Sequence, residues 1–155
     1  MSRLVIVVEK ASDWGSYYPS DNVVAAQDYL KETIGADDER VQVINLWRPI
    51  RGPLRDAPLA MCDGQTVAPG DLVASDLIYP GRKGETYSVK YNPNHRWFYV
   101  PEMTADEALL LKCYDSATDG RTRFGPHTAF IDPTTPADAP PRESIELRTL
   151  VFHKN

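Results

Sequence analysis

The chain has 155 residues, of which 42% are apolar and 25% charged, which suits one soluble globular unit with a modest core. Its net charge is −5 and it has no Lys/Arg-rich run, so nucleic acid is not the expected partner. No apolar run approaches the ~20 residues of a membrane span, and the first residues lack a signal-like apolar core with a small-residue cleavage site, so the expected location is cytoplasmic.

In chain order, "RLVIVVEK" (3–10) is a β-branched run that predicts a strand, followed by the aromatic turn "DWGSYYPSD". "SDNVVAAQDYLKETIG" predicts a helix, with Ser20 or Asp21 as cap, Val23, Ala26, Leu30 and Ile34 on one stripe, and Gly35 as stop. "VQVINLW" (41–47) alternates and predicts a second strand, so the first residues form a β-α-β start. "RPIRGPLRDAP" is a proline-rich connection. After it come short segments at close spacing: "PLAMCD", "DLVASDLIY", "TYSVKYN", "RWFYVP", "ALLLKCYDS", "TAFID" and "SIELRTLVF". Turn residues separate most of them, which is the pattern of a sandwich or barrel. "MTADEALLLKCYD" carries the capping-box pair Thr104 and Glu107, which predicts at least one helical turn. In "SIELRTLVF" the row Ile145, Leu147, Thr149, Val151 is more apolar than Glu146, Arg148, Leu150, Phe152. "NHRWFY" (94–99) reads as aromatic core or barrel-mouth packing with His95 hydrogen-bonded. The two cysteines, Cys62 and Cys113, match no zinc spacing and read as buried free thiols.

Four ordered pieces, "INLWRPIRGPLRDAPLAMCD", "YNPNHRWFYVPEMTADEALLLKCYDS", "PHTAFIDP" and "PRESIELRTLVF", resemble the CmcJ/NvfI and AsaB-like hydroxylase/desaturase family. They cover about 110 of the 155 residues. The first 45 or so residues resemble instead the small domain that precedes RimK-like ATP-grasp ligases. The two resemblances meet near "VINLWRP", which implies a chimera divided into 1–46 and 47–155. The implied class is α+β: a short β-α-β start, then a mostly antiparallel, incomplete jelly-roll.

The oxygenase resemblance implies Fe(II) and 2-oxoglutarate as cofactors and a small-molecule metabolite as substrate. It places His127 as a metal ligand, and Arg142 with Ser144 on the cosubstrate, because a guanidinium fork matches a carboxylate. Arg148 competes with Arg142 for that role. Such a site holds iron with two histidines and one carboxylate. The chain has three histidines, and two residues after His95, His127 and His153 stand Trp97, Ala129 and Asn155, so no H-x-D or H-x-E is present. The expected function is therefore an incomplete hydroxylase/desaturase, the alternative being a non-catalytic fragment or a ligase-related accessory domain. Orphaned strand edges imply a homo-oligomer.

Overall fold

The computed structural model describes residues 5–8, 40–80 and 82–153. Among these residues nine strands follow one another: β1 (Val5–Val8), β2 (Arg40–Pro49), β3 (Leu59–Cys62), β4 (Leu72–Tyr79), β5 (Arg82–Val89), β6 (Trp97–Tyr99), β7 (Leu109–Asp115), β8 (His127–Ala129) and β9 (Ser144–His153). They build a larger sheet in the order β1-β9-β2-β7, a smaller sheet β6-β3-β8, and the separate hairpin β4-β5. Every pairing is antiparallel.

The larger sheet is organised around β2. Its alternation puts Val41, Val43, Asn45, Trp47 and Pro49 in one buried row. Directly paired residues share a face, so Phe152, Leu150, Arg148, Glu146 and Ser144 of β9 lie in the same row. On β7, Leu109 and Leu111 join them opposite Trp47 and Asn45. The register then shifts between Val43 and Ile44, leaving Cys113 as the extra residue of a bulge. Trp47, Leu109 and Leu111 pack against Leu54, Leu59 and Met103, with Met61 alongside, so the two sheets face each other across this core. A second cluster of Val41, Val43 and Phe152 closes the far end. Each fully buried side chain of this size contributes about 1.5–3 kcal/mol.

This antiparallel β architecture replaces the expected α+β class; among the described residues there is no α-helix, only the 3-10 turns Gly64–Thr66 and Pro69–Asp71. The helix predicted from "SDNVVAAQDYLKETIG" lies outside the described residues. The strands on either side of it do not form the expected β-α-β layer: both pair with β9, which lies between them in one sheet. The expected division after residue 46 falls inside β2. The capping pair does form, with the Thr104 backbone N–H and hydroxyl both donating to Glu107 Oε2 (2.7 and 3.0 Å), but it closes a turn rather than a helix. The run after it is claimed by pairing with β2, which overrides local helix preference.

The β4-β5 hairpin is clamped at its root. Asp71 accepts from the Ala68 N–H, the Asn92 amide and the buried ring of His95 (3.1, 3.0 and 3.0 Å). His95, with Asn92 and Ala68, holds the Asp71 carboxyl below its usual range. Higher up, the Tyr87 ring meets Phe124 edge-on at 5.2 Å, so the hairpin leans on the loop leading into β8.

Candidate functional site

The space between the sheets collects the chemistry. His127 opens β8 and pairs with Met61, whose side chain packs on the inter-sheet core, so the imidazole shares that inward row. Its Nδ1 lies 2.9 Å from the Gly125 carbonyl, which can only accept. Nδ1 therefore carries a proton, and Nε2 is the ring nitrogen left to face a metal. Gly125 in turn donates to the Lys112 carbonyl (2.7 Å), an approach so close that a Cβ there would stand 3.2 Å from that oxygen. His127 is thus fastened to β7 beside Cys113.

Opposite stands the inner row of β9. Asn45 is 1% exposed in the centre of the sheet, and both ends of its amide are used. Nδ2 donates to Glu146 Oε1, and Oδ1 accepts from Arg148 Nε (3.2 Å). Cys113 lies within reach of both charges, and burial pushes its thiol up to about 11.

Arg142 sits at the other end. Its N–H donates to Asp56 (3.0 Å), its Nη1 to the Ala57 carbonyl (2.8 Å), and its guanidinium lies 5.9 Å over the Trp47 ring. Ala57 adopts the left-handed region at φ 44° to present that carbonyl, a conformation costing about 1–2 kcal/mol. Ser144 pairs with buried Pro49 in the same inner row. β8 runs from His127 toward Ala129 and Phe130, and the Phe130 N–H donates to Pro58, next to the Ala57 that Arg142 holds. His127 and Arg142 therefore mark opposite ends of this space, with Arg148 between them along β9.

The remaining histidines are engaged elsewhere: His95 with Asp71, and His153 Nε2 with Gln42 Oε1 (2.7 Å) on the outer face. Among the described residues no three His, Cys, Asp or Glu come together, so they do not make up a three-ligand iron centre. "HRWFYV" is not core: Trp97, Phe98 and Tyr99 are all exposed, Phe98 at 57%. Asn45 is the residue that sequence reasoning passed over. Its signal was a polar residue in the apolar row Val41, Val43, Trp47. No helix among the described residues is long and apolar enough to cross a membrane.

The profile of a family described as Oxidoreductase/YMDC permease-like domain matches residues 21–152, across the expected join near residue 46. The chain is similar to hydroxylase/desaturase asaB of Aspergillus flavus, 41% identical over 150 residues covering 87% of this chain and 63% of that protein. Aspirochlorine biosynthesis protein N of Aspergillus oryzae is 42% identical over 119 residues, covering 75% and 50%. The Fe(II)/2-oxoglutarate-dependent dioxygenase nvfI of Aspergillus novofumigatus is 39% identical over 115 residues, covering 73% and 41%. A solved structure of the iron and alpha-ketoglutarate-dependent endoperoxidase NvfI superposes with a TM-score of 0.76 at 29% identity, over 97% of this chain and 63% of that one. The chain thus spans between 41% and 63% of the length of these curated relatives.

Proposed function

Since the chain belongs to the oxidoreductase family of these hydroxylase/desaturase and iron/2-oxoglutarate-dependent relatives, we propose that it carries the cosubstrate-binding wall of such an enzyme without a complete iron site of its own. Fe(II) and 2-oxoglutarate are the cofactors of this reading, and a small-molecule metabolite is the substrate. When bound, the iron would supply the oxidising chemistry. His127 supports a place beside it through its Nε2, but one imidazole does not hold the ion.

The observation that carries the proposal is the polar inner row of β9. Arg148 faces the inter-sheet space with its Nε held by a buried amide, on the wall opposite the His127 strand. A guanidinium so oriented pairs with a carboxylate by charge-assisted hydrogen bonds. Arg142 and Ser144 extend the same row, but Arg142 already ties the 54–58 loop to Trp47. Arg148, whose orientation is set from within the sheet, is the carboxylate partner of this reading, and Arg142 with Ser144 bounds the far end of the pocket.

The test is calorimetric titration of the full chain with 2-oxoglutarate, alongside a succinate-release assay with Fe(II). Weak binding that Arg148→Ala removes and Arg142→Ala keeps, with no succinate above a metal-free control, is the expected result. Fe(II)-dependent succinate release that needs His127 would overturn the incomplete-site reading. Binding that depends on Arg142 and not Arg148 would move the carboxylate to the other end.

A further inference from the structure

A recess of about 260 Å³ lies between the 54–58 loop, the 99–102 turn and the 132–136 turn. It stands apart from the space between the sheets: its wall residue Tyr99 pairs with Ala60, on the face of the smaller sheet opposite the row of Met61 and His127. Its sides are tied together. The Leu54 N–H donates to the Met103 carbonyl (2.9 Å), Thr135 Oγ1 to the Arg55 carbonyl (2.9 Å), and the Tyr99 hydroxyl to Asp132 Oδ2 (3.4 Å). Asp132 Oδ1 accepts from the N–H and the hydroxyl of Thr134 (2.8 and 2.7 Å), which closes the third turn. Phe130 meets the Tyr99 ring edge-on at 5.0 Å and braces it. A recess cross-linked in this way keeps its shape without an occupant, as small-molecule sites generally do.

The buried part of its lining is apolar, Leu54 and Pro58, and its charges are exposed. Arg55 Nε donates to Glu102 Oε1 (3.0 Å), while Nη1 and Nη2 make no hydrogen bond among the described residues. That leaves an edge of the guanidinium which matches a carboxylate in two parallel bonds. Glu102 holds its place in the left-handed region at φ 49°, a strain of the kind kept at ligand clamps. We propose that the recess binds a small monocarboxylic acid with an apolar body, its carboxylate on the Nη edge of Arg55 and its body against Leu54, Pro58 and the Tyr99 ring. A dianion such as 2-oxoglutarate suits it poorly, because Glu102 and Asp132 set two negative charges against the one positive charge of Arg55. This site is separate from the cosubstrate wall and stands or falls without it.

The experiment titrates the full chain with phenylacetate and follows the Arg55 Nε–H and the backbone amides of Glu102, Thr134 and Thr135 by NMR. These signals should move along one saturating curve. Arg55→Gln should weaken phenylacetate roughly tenfold, and phenylacetamide, its uncharged isostere, should bind the wild-type chain weaker by a similar factor, each losing a charge-assisted contact. Glu102→Gln keeps an oxygen for Arg55 Nε and removes one competing carboxylate, so it should tighten phenylacetate about two- to threefold. A gain of this kind does not come from misfolding, and it decides the matter if Arg55→Gln does not fold. 2-Oxoglutarate should leave the same signals in place. No saturable movement with phenylacetate, equal affinity for phenylacetamide, unchanged affinity in Arg55→Gln, or weaker binding in Glu102→Gln overturns the proposal. Movement of these signals by 2-oxoglutarate at equal affinity overturns it as well.

Discussion

The two faces of the larger sheet each carry a polar cluster, and they are built differently. On the outer face Asp115 is fully buried and closed off. It takes two bonds from Arg40 (2.9 and 2.6 Å), one from Gln42 (2.9 Å), one from Lys112 (3.3 Å) and one from the Ala117 N–H (3.1 Å). Burial alone would raise that carboxyl, but Arg40, the Ala117 N–H and Lys112 outweigh it and hold it well below the usual range. On the inner face only Asn45 is buried, while Glu146 and Arg148 reach into accessible space. One cluster closes its charges within a buried group; the other ties two exposed charged side chains to a buried amide. β2 supplies both, with β7 completing the outer cluster and β9 the inner one, so opposite rows of one strand carry the difference.

The largest effect should come from breaking the closed cluster. Asp115→Asn leaves Arg40 without its bidentate partner and should cost about 3 kcal/mol or more in urea unfolding. Affinity for 2-oxoglutarate per folded molecule should stay within about twofold, as expected for a distant, independent site. The pH dependence follows from the direction of the Asp115 shift. Its folded-state value lies below the unfolded one, so its contribution is present above about pH 4 and is lost as the pH falls below that. Asp115→Asn should lack this acid step, and an identical acid profile would show that other carboxylates set it.

Arg148→Ala is the inner-face counterpart. It should weaken 2-oxoglutarate by roughly ten- to a hundredfold and cost about 1–2 kcal/mol in unfolding, because the buried Asn45 carbonyl oxygen loses its donor. Arg142→Ala should cost about 1 kcal/mol of stability from the lost Ala57 and Trp47 contacts, with little change in binding. The smallest effect concerns assembly. Among the described residues β6 is an edge of the smaller sheet with Trp97, Phe98 and Tyr99 exposed, a surface that favours self-association. Sedimentation should show dimers or larger species, and Phe98→Lys should shift them toward monomer; a monodisperse wild-type monomer would rule this out.

Much of the strand order was legible because turn residues punctuate it. "PLAMCD", "DLVASDLIY", "TYSVKYN", "RWFYVP", "ALLLKCYDS" and "SIELRTLVF" each overlap a strand of the structure, though "TYSVKYN" covers only the second half of β5. Their partners were not legible, since pairing is set by contacts far apart in sequence. β1 joins β9 rather than a neighbour across a helix for that reason. Alternation in β9 was visible, but not its sense. The more apolar row, Ile145, Leu147, Thr149 and Val151, turns outward, and the charged row turns in. A rule that sends apolar residues inward fails here because the inner row ties its two charges to the buried Asn45 amide. His127 was named by motif alone, whereas Asn45 needed the register of β2 against β9 to acquire partners.

The central claim is that carboxylate recognition belongs to the inner row. The most direct measurement is a 2-oxoglutarate titration followed by NMR at the Arg148 Nε–H and the Asn45 side-chain amide, with the Gln42 amide and the His153 ring as outer-face references. The inner signals should move together with one binding curve while the outer ones stay fixed. Movement of Gln42 and His153 with Arg148 and Asn45 unmoved would contradict it.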